Sequence, residues 1–232
     1  MTSVAFFARE QLRAPFTLAL LIATPALFVA AAAGALSDFA DALGGELAGD
    51  AAVSLSAGWA AALVAGSLGF FQAASSRGAD RRLALAGLGP ARVAVSRIGA
   101  SIVLALVAAA AAFAALLIRG DLAHPAHAAA AILAFALLYL GIGVLVGSLI
   151  QAPLEGSLLV AFIFLLDAFA GPGMSGGDPP VWAVSQKAAD VLIAAGIGSA
   201  SPDGDWARLA LVSSAALAAA FLAFVASARS RA

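Results

Sequence analysis

The sequence predicts an all-α polytopic membrane protein with six transmembrane helices and both termini on the cytoplasmic side. Three observations carry this. Hydrophobic residues make up 63% of the chain and charged residues only 11%, with a mean hydropathy of +1.05. A soluble domain carries about 25% charged residues, so this much apolar surface needs lipid around it. The apolar residues also fall in blocks of about 20, the length of a spanning helix. These blocks, 101–118 for example, lack the alternation of a transmembrane barrel strand. Finally, the arginines crowd into a few gaps between the blocks.

Taken in order, the first element is a short amphipathic helix over residues 2–14. Val4, Phe7, Ala8 and Leu12 share one face, and Arg9 and Arg13 stand at i, i+4. An ordinary basic flank reads equally well. The six spans follow at roughly 16–36, 53–74, 95–118, 128–150, 154–170 and 207–227. Arg9, Arg13 and the first block resemble a cleaved signal peptide. The apolar core is longer than the usual h-region of about 7–15 residues, so the block is expected to stay as a span.

With six spans, three basic groups fall on one side, which the positive-inside rule makes cytoplasmic. They are Arg9 and Arg13; Arg77, Arg81, Arg82, Arg92 and Arg97; and Arg229 and Arg231. Asp38, Asp41, Glu46, Asp50, Asp121, Asp178, Asp190, Asp203 and Asp205 fall on the other, with only Arg119, Lys187 and Arg208 for basic company. The cytoplasmic membrane of a prokaryote is the expected location.

The external segment 171–206 is the longest stretch between spans. Asp178-Pro179-Pro180 predicts a helix start. Val181, Val184, Ala188, Val191 and Ala195 then fall on one stripe, so an external surface helix or a re-entrant helix is expected rather than a seventh span. The alanine tracts 108–115 and 215–220, and Gly141, Gly143 and Gly147, predict close helix packing. Gly143 and Gly147 also form a small-xxx-small pair, a weak pointer to a dimer face.

Several chemistries are poorly served. With no cysteine, disulfides, thiolate metal sites and cysteine nucleophiles are excluded. No basic-aromatic array suits nucleic acid. There is no His-Glu-x-x-His and no phosphate-binding Gly-x-x-x-x-Gly-Lys-Ser/Thr. His124 and His127, beside Asp121, make a loose metal candidate at best. Gly173-Met-Ser-Gly176 matches the signature of rhomboid-type proteases, but no histidine follows Ser175 to serve as base. Asp178 lacks a second carboxylate placed for acid–base work.

Two residues stand out inside spans. Asp167 is the one carboxylate within a predicted span, and an ionisable group there is a functional candidate by default. Lying about 4.5 Å from the outer edge of its helix, it fits a substrate path or an interfacial structural role. Gln72, near the inner end of the second span, reads as an interhelical hydrogen-bond donor, with a place on a substrate path as the alternative.

The loop 75–97 is different. It reads SSRGADRRLALAGLGPARVAVSR. Basic clusters flank Leu83, Leu85 and Leu88, and Gly89-Pro90 breaks the run. A short amphipathic helix on the inner face, followed by a turn into the third span, accounts for it. Orienting the chain needs charge but no leucines between the charges, so contact with a protein partner is the favoured reading.

At this loop the chain resembles the permease subunits of type-2 ABC exporters. In that family the loop between spans two and three carries a coupling helix that sits in a groove of a separate ATPase. Arg77-Gly78, Leu83, Leu85, Pro90 and Arg92 take the roles of its charge and glycine, then leucines, then proline and a basic residue, and with Arg81, Arg82 and Leu88 they make up the coupling loop that the resemblance implies. The common Gly-Thr-Leu-Glu wording is replaced by Gly78-Ala-Asp-Arg81. The run 82–89 also looks like lipoprotein-release and cell-division permeases, but 37–52 is too short for their external domain. The haem exporter of cytochrome c maturation is another relative of similar architecture.

The resemblance implies a transport subunit that is not itself an enzyme. It would carry no cofactor of its own, with ATP and Mg on a cytoplasmic ABC ATPase partner. It would pair with a second permease copy or paralogue in the lipid, and export a lipid, drug-like or other amphipathic substrate. The alternatives are a non-transporting immunity or assembly protein and, further off, an intramembrane hydrolase.

Overall fold

The computed structural model describes residues 4, 7, 15–47, 49–120, 122–150, 152–172, 174, 180, 183–198 and 203–229, apart from the side chains of 15–17, 33, 81, 85, 203–205, 228 and 229. Among the described residues there are α-helices and one π-helical turn, and no strand. The helices are α1 (Pro15–Ala42), α2 (Gly49–Leu83), α3 (Pro90–Arg119), α4 (Pro125–Leu149), α5 (Pro153–Phe169), α6 (Gln186–Ile197) and α7 (Asp203–Arg229). Four of them open on proline, whose fixed φ and missing N–H suit the first helical turn.

Each of the six predicted spans coincides with one helix, and α6 lies between the last two. Four helices, α2, α3, α4 and α7, are long and apolar enough to cross a membrane. α1 bends by 56° between Leu18–Ala32 and Gly34–Ala42, and counts as a fifth if the bent pair is one span. α5 has 17 residues, about 25 Å of helix against a hydrocarbon layer of about 30 Å. Large side chains turn outward on these helices: Ile118 is 86% exposed, Leu154 72% and Leu211 69%. Long apolar helices with apolar outer faces fit a membrane protein.

α4 is the central helix and packs against α2, α3, α5, α6 and α7. Its glycines make this possible. A Cβ at Gly141 would lie 2.8 Å from the Ala216 carbonyl carbon on α7, and one at Gly147 would lie 2.6 Å from the Phe70 carbonyl oxygen on α2. Gly143 faces the backbone of Gly66. The small-xxx-small pair is therefore spent on contact within the chain, where the sequence pointed weakly to a dimer face.

Side-chain contacts sort the helix ends into two groups. Arg97 near the start of α3, Gln72 late in α2 and Phe224 late in α7 line one small cleft, and Val4 meets Gly99 at the same end. At the opposite end, Phe39 of α1 stacks on Phe169 of α5 at 5.0 Å, and His127 of α4 meets Trp206 of α7. These ends are called the arginine end and the α6 end below.

Three expectations are revised. The run after Ser75 forms no separate surface helix. α2 continues through it to Leu83, and a π-helical turn (Ala84–Leu88) leads to Gly89 and Pro90. α2 has 35 residues, about 52 Å, because its glycines keep helical φ and no proline interrupts it. Gly87 (φ 102°) and Gly89 (φ 74°) then take conformations that favour glycine. α6 starts at Gln186, after a turn at Val184 and Ser185, and Pro180 and Ala183 are not helical, where the sequence predicts a helix from this stretch onward. Ala188, Val191 and Ala195 are buried as the stripe predicts, but Val184 is exposed, because it precedes the helix. Asp178, Pro179 and Val181 lie outside the described residues. So does most of the N-terminal amphipathic helix, of which Val4 and Phe7 are both helical.

Candidate functional site

The arginine end holds the predicted loop. α2 delivers Arg77, Gly78, Asp80 and Arg82; the π-turn delivers Leu88; α3 delivers Pro90, Arg92 and Arg97. These residues divide into an inward set and an outward set. Arg77 turns inward and donates to the carbonyl oxygens of Gly147 and, at 3.5 Å, Ile150. Those carbonyls close the C-terminus of α4, where a cation meets both the unpaired acceptors and the negative end of the helix dipole.

Arg97 also turns inward. Its Nε donates to Asp80 Oδ1 at 2.8 Å, with the side chains 13% and 3% exposed. Its guanidinium lies 4.0 Å over the Phe7 ring, a cation–π contact. Ser76 Oγ donates to Asp80 Oδ2 at 2.6 Å. Ser101 Oγ donates to Gln72 Oε1, so Gln72 bridges α2 and α3 as an acceptor from Ser101, where the sequence suggests a donor. Gln72, Ala73, Arg97, Ile98, Ser101, Val144 and Phe224 line a cleft with room for about one water molecule.

The outward set is Gly78, Arg82, Leu88 and Arg92, all exposed. Leu83 is half-buried and packs against the core, and Pro90 is half-buried at the start of α3. The side chains of Arg81 and Leu85 lie outside the described residues. The loop thus presents a basic surface with an exposed leucine. Its base is pinned to α4 by Arg77 and across α2–α3 by Asp80 and Arg97.

Asp167 sits at the α6 end, far from this surface. It is 3% exposed. Tyr139 Oη of α4 donates to its Oδ2 at 2.5 Å, and the Ser185 backbone N–H lies 3.3 Å from both carboxyl oxygens. The group accepts every one of these bonds, as a carboxylate does. The two candidates for a substrate path, Gln72 and Asp167, are therefore at opposite ends of the bundle.

His124 and His127 are exposed, their rings 5.5 Å apart. Asp121 lies outside the described residues, and no group of three metal-ligating side chains occurs among those described. Of the rhomboid-like signature, only Met174 is described.

Sequence reasoning missed the Asp80–Arg97 pair and the part of Tyr139. A lone carboxylate in a loop with five arginines and the only tyrosine of the chain, in the middle of an apolar block, were the available signals. The chain matches no protein-family model, no curated protein and no solved structure.

Proposed function

We propose that this chain is the membrane-spanning subunit of a type-2 ABC exporter. It crosses the cytoplasmic membrane of a prokaryote six times, with α1 through α5 and α7 as the spans and both termini inside. It pairs with a second permease copy or paralogue. A separate cytoplasmic ATPase, which holds the ATP and Mg, docks on 75–97. The exported substrate is a lipid, a drug-like molecule or another amphiphile.

One observation carries this reading: the outward set of Arg82, Leu88 and Arg92 stands on a base tied into α3 and α4. A loop needed only for orientation requires charge alone. A loop that transmits force needs an exposed contact and a stiff connection to the helices that move. Arg77 on the α4 carbonyls and the Asp80–Arg97 pair supply that connection. ATP binding and hydrolysis then act by favouring one arrangement of the helices over another, which requires differential contact at this surface.

The chain, tagged and extracted in mild detergent from its native membrane, is expected to carry an ATPase subunit with it. Arg82→Glu/Arg92→Glu is expected to reduce the co-purified ATPase activity by about tenfold or more, as reversal of interface charges does. An undiminished yield with the double variant would overturn the docking assignment. Absence of any ATPase with the unaltered chain would favour a non-transporting membrane protein. External labelling of a single cysteine placed at Ala86 would overturn the orientation.

A further inference from the structure

We propose that the N-terminal segment is a positioning element for the docking surface: Val4 and Phe7 seat on the start of α3 and hold Arg97 on Asp80. This rests on the docking reading and names what sets the geometry of that surface. Val4 and Phe7 are both helical and stand at i, i+3, so they share one face. Val4 meets α3 at Gly99, where an added Cβ would lie 3.1 Å from Val4 Cγ2 and 3.2 Å from Cγ1. Glycine there lets the segment approach. Phe7 then places its ring under Arg97, with the guanidinium carbon 4.0 Å from the ring centroid.

Two groups thus fix one guanidinium. Asp80 Oδ1 accepts from Arg97 Nε at 2.8 Å, and the Phe7 ring covers the guanidinium face. The carboxylate is anchored from its own helix, because Ser76 Oγ donates to Asp80 Oδ2 at 2.6 Å from one turn back. Arg97 is therefore the partner with freedom to leave. Its side chain is long and rich in rotamers, and holding it costs entropy. The ring offsets that cost with a cation–π attraction, which strengthens as water is excluded. The Arg97 side chain is only 13% exposed. Neither Val4 nor Phe7 belongs to the loop 75–97. Both act on it through Arg97, whose tie to Asp80 joins α2 to α3 at the base of the loop.

The test uses the full chain in phosphatidylcholine nanodiscs, without ATPase or nucleotide. A spin label on Ala86→Cys, an exposed position in the π-helical turn of a chain with no other cysteine, reports the mobility of the loop. Phe7→Leu keeps an apolar side chain and removes the π-face. It is expected to raise the ratio of mobile to immobile signal by about tenfold, the scale of a largely desolvated cation–π contact. Phe7→Trp, which supplies a better π-face, is expected to match the unaltered chain or fall below it.

A third arm separates this role from simple covering of apolar surface. In Asp80→Leu/Arg97→Met, which lacks the pair, Phe7→Leu is expected to change nothing further. Unaltered mobility in Phe7→Leu, an equal rise in Phe7→Trp, or a further rise in the pairless background would each overturn the proposal. All three arms are read without a partner, so absence of a co-purified ATPase would overturn the docking reading and leave these outcomes unchanged.

Discussion

Gly143→Leu is expected to weaken the assembly of the helices strongly. A Cβ at this position would overlap the carbonyl oxygen of Gly66 and lie 2.8 Å from its carbonyl carbon and 3.0 Å from Phe70 N. All three atoms are backbone, so no rotamer change relieves the clash. α2 and α4 must separate, and they form the most extensive helix pair in the bundle. In lipid this matters more than in water. Association there depends on close van der Waals contact rather than on hydrophobic expulsion, and small residues provide it.

Overpacking of a tight core costs about 1–3 kcal/mol, and a leucine against backbone falls at the top of that range. Gly78→Ala is the control. It lies in α2 with nothing within 4 Å of the added Cβ, so it should be neutral or gain up to about 1 kcal/mol of helix propensity. Unfolding by SDS in mixed micelles, followed by circular dichroism, separates the two. Equal midpoints for Gly143→Leu and the unaltered chain would refute the packing account.

The same contact explains what the sequence revealed and what it hid. Helix positions were legible because hydropathy is additive along the chain: the six apolar blocks coincide with α1 to α5 and α7, of which four, or five with the bent α1, are long and apolar enough to cross a membrane. The partner of Gly143 was not legible, since small residues permit close approach without saying to what. The end of α2 was hidden for a different reason. Arginine and leucine are good helix formers, so polarity at 77–83 does not mark a helix boundary. Only Gly87 and Gly89, with their positive φ, stop it.

At the candidate site, exposure at Arg82 and Arg92 followed from charge. The inward turn of Arg77 and Arg97 depends on partners 70 and 17 residues away, which no local pattern encodes. Asp167 was flagged by its setting, but its partners, Tyr139 and Ser185, come from other elements.

The Asp80–Arg97 pair gives the second large effect. Both side chains are nearly shielded from solvent, and each satisfies the other's charge. Removing one partner leaves a buried charge uncompensated, at a cost of about 3–5 kcal/mol, while replacing both with apolar groups of similar size is often neutral. Asp80→Leu and Arg97→Met alone should therefore each destabilise strongly. The double variant should recover most of the loss, because Ser76 Oγ retains the Gln72 carbonyl at 2.6 Å as an acceptor. What the double variant should not recover is the cation–π contact to Phe7, so a residue of about 0.5–2 kcal/mol is expected to remain.

SDS-unfolding midpoints of the four proteins close this cycle. If the two single losses simply add in the double variant, the residues are not coupled and the hinge between α2 and α3 is held by something else. If the double variant is stable yet retains less ATPase than the unaltered chain, the pair serves the loop rather than the fold. A polar tie that apolar residues can replace for stability, but not for docking, is what a transmitting connection between a surface and a bundle requires.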